Sequence, residues 1–227
     1  MIPINLAGIH SFLEIWPISS SWHLEYFFST SKEVITSYHL LLLPIVTLLI
    51  FLNRKKLFFD PFYIFCLLSP SGGIYILKAL KLIPLVILSP SLIHFMMGIV
   101  LLLIGIQQLF SPFLKKTDPL IILIFMSITQ SLNIIIPGLS RWGCSLLPFL
   151  FIKSNYKNVF WQTLFLDFLL LIAGFLKDYD CLFNINIIDL YFASGFFLIS
   201  TVLGLQLGWF GILLSGLYRI VLSILLK

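Results

Sequence analysis

Residues 10–23 read HSFLEIWPISSSWH, and residues 130–142 read QSLNIIIPGLSRW. At an offset of 120 residues, from 10 to 130, Ser11 matches Ser131, Ile15 matches Ile135, Pro17 matches Pro137, Ser20 matches Ser140 and Trp22 matches Trp142. Both stretches are apolar segments interrupted by a proline, with hydroxyl and charged side chains beside the break. Irregular backbone at membrane depth is tolerated only where protein or a wet cavity satisfies it. Ionisable residues there are costly and tend to be functional. The two stretches therefore set both the fold reading and the site reading.

The rest of the chain supplies the membrane context. Of 227 residues, 60% are hydrophobic and 10% are charged, and the mean hydropathy is +1.10. One soluble core of this size cannot hide that much apolar surface, and low hydrophobicity, the mark of disorder, is missing. Runs such as Val100–Ile106 lack the alternation of a barrel strand, so the spans are predicted to be helical. The net charge of +5 sits in short basic loops, which reads as topology and not as a nucleic-acid surface. Cys66, Cys144 and Cys181 are scattered and form no disulfide or metal pattern. The N-terminal MIPINLAGIHSFLEIW lacks a basic n-region and does not read as a cleaved signal peptide.

Apolar stretches fall at 34–52, 62–80, 92–110, 119–136, 160–176, 188–208 and 209–226. Placing Arg54–Lys56, Lys115–Lys116 and Lys153–Lys157 on the cytoplasmic side requires an even number of crossings between them. The segment 119–152 then enters and leaves on one side, as a re-entrant helical hairpin. Residues 4–28 form its counterpart from the outside, and the Asp178–Asp180 loop lies outside. Lys78 and Lys81 fall outside too, against the charge rule. The expectation is an all-α polytopic membrane protein of one domain, with about six transmembrane helices plus two re-entrant hairpins. Its halves, 1–113 and 114–227, form an inverted repeat, which places sites near the midplane at broken helices.

In the first break, His10 and Glu14 share a helix face at i, i+4, and Pro17 ends the helix. Ser19, Ser20, Ser21 and His23 follow. A carboxylate can hold a hard cation, a hydroxyl beside a base can attack phosphorus, and an imidazole can move a proton. In the second, Gly138 permits close backbone approach, and Ser140, Arg141 and Gly143 gather anion-binding features in one turn. Arg141 is read as a phosphate clamp, with a structural bridge to Glu14 as the alternative. Asp167 lies inside a span without an assigned partner. Arg219 could reach either the site or an interface. His39, His94 and Cys144 read as packing residues. An anion clamp, hydroxyls, a carboxylate and a histidine, all within reach of lipid, point to a phosphorylated lipid.

These residues resemble the undecaprenyl pyrophosphate phosphatase family of bacterial inner membranes, the bacitracin-resistance type. Its first pattern, Glu/Gln-x-x-x-Glu-x-x-Pro-[Val/Ile]-Ser-Ser-x-Gly-His, is matched by Glu14, Pro17, Ile18, Ser19, Ser20 and His23. Its second, Pro-Gly-x-Ser-Arg-Ser-Gly-x-Thr, is matched by Pro137, Gly138, Ser140, Arg141 and Gly143, with Ser145 in the Thr place. Asp118, Gln130 and Tyr218-Arg219 also resemble family positions. His10 stands at the first acidic or amide position, Trp22 replaces a Gly, Trp142 replaces a Ser, and Gln162-Thr163 stands where Ser-Phe is expected.

The resemblance implies hydrolysis of undecaprenyl pyrophosphate to the monophosphate carrier of cell-wall synthesis. It implies a multi-pass protein of the bacterial inner (plasma) membrane, with its site opening to the outer face. It also implies a divalent metal, Mg²⁺ or Ca²⁺, on Glu14 with His10. By resemblance, Glu14, Ser20, His23 and Arg141 are catalytic, and Ser19, Ser21, Gly138, Ser140 and Gly143 bind substrate. The nucleophile stays open among Ser20, His23 and water. The expected partners are a polyprenyl pyrophosphate and membrane lipids, with no nucleic acid; the sequence does not address oligomeric state. The alternatives are a transporter of the polyprenyl-phosphate carrier, a catalytically degenerate relative, and a non-catalytic scaffold.

Overall fold

In the computed structural model, residues 6–53, 61–110, 119–178 and 187–226 are described. Among them the regular structure is helical, and no strand occurs. The all-α expectation therefore holds. The basic residues 54–56 and 115–116, Asp118, Asp180 and Cys181 lie outside the described residues.

The first broken stretch forms α1 (Leu6–Glu14) and α2 (Ser20–Phe28). Pro17 has no N–H to extend α1, and Ser19 takes a left-handed φ of 59° before α2 starts. α3 (Lys32–Leu41) is capped by Ser31, which accepts from Val34 N, and continues through Leu42 into α4 (Leu43–Leu52). Next come α5 (Pro61–Ala79), α6 (Pro90–Phe110) and α7 (Pro119–Gln130). Each opens on proline, whose fixed φ suits a first turn and whose missing N–H costs nothing there. α7 stops at Ser131, one break earlier than the sequence suggests, and a single turn, α8 (Leu132–Ile135), leads to Pro137. Gly138 then takes a φ of 94°. α9 (Arg141–Ser145) and a 3₁₀ turn (Leu147–Leu150) complete the second broken stretch. α10 (Tyr156–Asp178) and α11 (Ile187–Leu225) follow.

Among the described residues, three helical stretches are long and apolar enough to cross a membrane: Lys32–Leu52, Pro90–Phe110 and Ile187–Leu225. A straight helix of the last length would run about 58 Å, nearly twice the hydrocarbon thickness. It is not straight, because Gly208 carries φ 56° and ψ −135°. Only a residue without Cβ adopts that backbone readily. The end of α1 sits at this break: a Cβ at Gly204 would meet Ile15 at 3.2 Å, and one at Gly211 would meet Trp16 at 2.8 Å.

Polar and apolar residues are distributed as a lipid solvent requires. Phe51, Phe65, Met96, Leu103, Phe125, Ile199 and Val221 are exposed, while His10, His23, Gln108, Gln130, Asp167 and Arg219 are buried. Apolar surface on this scale would be a liability in water and costs nothing in lipid.

Small residues hold the frame. Where α6 meets α11, a Cβ at Gly216 would lie 2.7 Å from Leu102 N and 2.9 Å from Gly98 O. Close backbone approach of this kind replaces hydrophobic drive as the cohesion between helices in lipid. At the other end of α6, buried Gln108 donates to Phe149 O at 2.8 Å and to Ile152 O at 2.7 Å, and accepts from Ser154 N at 3.3 Å. Gln108 thereby ties down the exit of the second broken stretch. Gln108→Leu strands those buried carbonyls and is expected to destabilise the protein by about 1–3 kcal/mol. Thermal unfolding in detergent measures this, and an unshifted midpoint would remove Gln108 from the frame.

Candidate functional site

Glu14 ends α1 and forms the hub where the two broken stretches meet. Ser20 Oγ donates to its Oε2, and Arg141 Nη2 donates to its Oε1. The first contact spans the Pro17 turn. The second joins residues 127 apart in the chain. Arg141 thus makes the bridge to Glu14 weighed in the sequence, and it also lines the neighbouring cavity. A carboxylate buried at this depth needs such donors.

Two histidines flank the same carboxylate. His10 Nε2 lies 3.6 Å from Glu14 Oε2, and His39 Nε2 lies 3.6 Å from Glu14 Oε1. Their rings meet edge to face at 4.3 Å between centroids. His39 is therefore not the packing residue expected from sequence. Its Nδ1 lies 2.9 Å from Ile35 O, so Nδ1 carries a proton there and Nε2 is the nitrogen that faces Glu14. Ser21 Oγ lies 3.4 Å from that Nε2.

The cavity beside this hub has a volume of about 660 Å³. Its lining includes Glu14, Ser19, Ser20, Ser21, Gly138, Ser140 and Arg141, so most of the expected site residues share one space. Lys32 and Lys78 line it too. Lys78, expected on the outer side against the charge rule, stands in the last turn of α5 and reaches Ile134 O at 3.3 Å, over the second break. With Arg141, three cations face two carboxylates, Glu14 and Glu25, and the lining favours an anion. Trp16, Trp22 and Trp142 form part of the wall.

Three expected site residues lie outside the lining: His10, behind Glu14, and two that sit further off. Gly143 backs onto Met97, whose Cε leaves no room for a Cβ, and its N–H bonds the Ser140 cap at 3.2 Å. His23 lies outside the cavity lining. Its Nδ1 bonds Ser19 O at 2.8 Å, and its Nε2 accepts from Tyr218 at 2.7 Å. Nearby, His94 packs against Trp22 at 4.3 Å. Arg219 is fully buried, and its three guanidinium nitrogens bond nothing among the described residues. Gln130 donates to Asp167 at 3.0 Å, which gives Asp167 the partner the sequence left unassigned. Cys144 is a buried free thiol.

The donor set also tests the implied metal. Mg²⁺ and Ca²⁺ take six or more oxygen ligands. Around Glu14 the groups gathered among the described residues are two imidazoles and the Ser20 hydroxyl, nitrogen-rich and short of carboxylate oxygens. This set does not fit a hard cation, and no chemistry is assigned to one. No model of a known protein family matches the chain, and no curated protein matches it.

Proposed function

We propose that the chain is an integral membrane phosphatase that converts undecaprenyl pyrophosphate, or a similar polyprenyl pyrophosphate, to the monophosphate and phosphate. In this reading six spans and two re-entrant hairpins form an inverted repeat in a bacterial inner membrane, with the site open to the outer face. The product would return to cell-wall synthesis as lipid carrier. The observation that carries the reading is the meeting of Glu14, Ser20 and Arg141 at an anion-favouring cavity inside a bundle with an apolar exterior. A polar head fits the cavity, and a long apolar tail fits between helices in lipid.

The proposed chemistry uses those three groups. Arg141 exchanges Glu14 for the distal phosphate and neutralises the charge that builds there. Glu14 takes the proton of Ser20, and Oγ attacks the distal phosphorus. The phosphoanhydride P–O bond breaks, and Glu14 passes the serine proton to the departing polyprenyl monophosphate. The regenerated carboxylate then takes a proton from water, which attacks the phosphoserine; the P–Oγ bond breaks, Oγ takes that proton back from Glu14, and phosphate is released. The placement of Ser20 on the carboxylate, and of His23 on Tyr218, favours Ser20 over His23 as nucleophile. Ser20→Ala is expected to lower phosphate release from undecaprenyl pyrophosphate by about 10³-fold or more, measured on purified protein in detergent. Release at the parental rate would exclude this mechanism.

A second reading is carriage of polyprenyl phosphate without hydrolysis. The turn of His23 away from the cavity supports it, since the histidine of the first broken stretch is then missing from the lining. Folded protein that moves the lipid phosphate across liposomes and releases no phosphate would select it.

A further inference from the structure

We infer that His10, Glu14 and His39 bind one transition cation of the Zn²⁺ class. Their ligand atoms all lie within 4.8 Å of one another. A tetrahedral ion with ligands at about 2.0–2.1 Å holds neighbouring ligands roughly 3.3–3.5 Å apart. His10 Nε2 lies 3.6 Å from Glu14 Oε2 and His39 Nε2 lies 3.6 Å from Oε1, so an ion held by both imidazoles takes the carboxylate through its two oxygens or draws one histidine toward the other's oxygen. His10 is fully buried, and neither ring nitrogen has a hydrogen-bond partner among the described residues. A buried imidazole with two idle nitrogens costs desolvation that a metal bond would return. His39 is already oriented as a ligand: its Nδ1 is held by Ile35 O, the outer contact typical of metal-bound histidine. Glu14 and His39 line the cavity, so the fourth position opens on the space assigned to phosphate.

Two imidazoles and one carboxylate select a borderline cation over Mg²⁺ or Ca²⁺. The His10 departure from the family pattern is then a change of metal class and not a lost site. The inference shares the cavity of the phosphatase reading, but its readout needs no turnover.

The test is optical titration of the chelator-stripped full chain in detergent with Co²⁺ alone, followed by Zn²⁺ displacement. One equivalent of Co²⁺ should give the intense visible bands of a low-coordinate ion, and a thousandfold excess of Mg²⁺ should leave them. His39→Ala should weaken binding about 100-fold or more, and His94→Ala should not change it. His39→Cys should restore binding and add a thiolate-to-cobalt charge-transfer band, which only a residue on the ion can produce. That band also answers the objection that the alanine variant is misfolded. Bands of equal strength in all variants, a six-coordinate spectrum, displacement by Mg²⁺ or no charge-transfer band in the cysteine variant would each overturn the site. Co²⁺ uptake without phosphate release keeps the metal site and removes the phosphatase; release without uptake does the reverse.

Discussion

Arg141→Ala is expected to abolish phosphate release and destabilise the fold together. Removing one positioned donor from a developing oxyanion costs about 10²–10³-fold in rate, and here the donor is also the cation paired with Glu14. With Arg141 gone, a carboxylate whose side chain is 10% exposed keeps only the Ser20 hydroxyl as a strong donor. Breaking a buried pair from one side costs about 3–5 kcal/mol. The two effects separate in the double variant. Arg141→Ala with Glu14→Gln removes the uncompensated charge, so its unfolding midpoint should recover while release stays lost. Arg141→Lys should recover stability better than rate, because an ammonium keeps the charge without the two-pronged geometry. Arg141→Ala with full release and an unshifted midpoint would show that the hub around Glu14 is not the active centre.

Gly216→Ala is expected to be the most damaging conservative change in the frame. Its new methyl would lie 2.7 Å from Leu102 N and 2.9 Å from Gly98 O. Both are backbone atoms, so no rotamer can yield; α6 and α11 must separate. Overpacking typically costs about 1–3 kcal/mol, and in lipid the lost backbone approach has no hydrophobic drive to replace it. Gly195→Ala in the same helix is the control. Nothing lies within 4 Å of its Cβ, and alanine favours helix over glycine by about 1 kcal/mol. The pair should therefore move in opposite directions in thermal unfolding and in the yield of monodisperse protein. Equal midpoints would refute the α6–α11 contact.

The two broken stretches were legible because their signals are local. Proline removes a donor from its own helix wherever it stands, so Pro17 and Pro137 mark breaks without knowledge of neighbours. Gly208 is legible only as a boundary between apolar runs; its left-handed backbone is a feature of the folded chain. The same locality explains the miss at His39. No spacing rule links position 39 to position 14, and a lone histidine in an apolar helix reads as packing until α1 and α3 are placed side by side. His23 shows the converse: it stands in the polar run of the first broken stretch, yet its ring turns to Tyr218, 195 residues away.

By itself, the sequence determined the class: apolar runs of helical length, too few charges for water, and two proline breaks carrying polar side chains. Those properties follow from solvent transfer and backbone hydrogen bonding, which act residue by residue. Tertiary structure alone decided which polar groups face one another. Glu14 meets Arg141 and His39, Lys78 leans over the second break, and Gln130 finds Asp167, because helices settle laterally where glycines such as Gly98 and Gly216 let backbones touch. Lateral fit is a property of pairs of surfaces, and a one-dimensional pattern of hydropathy does not encode it.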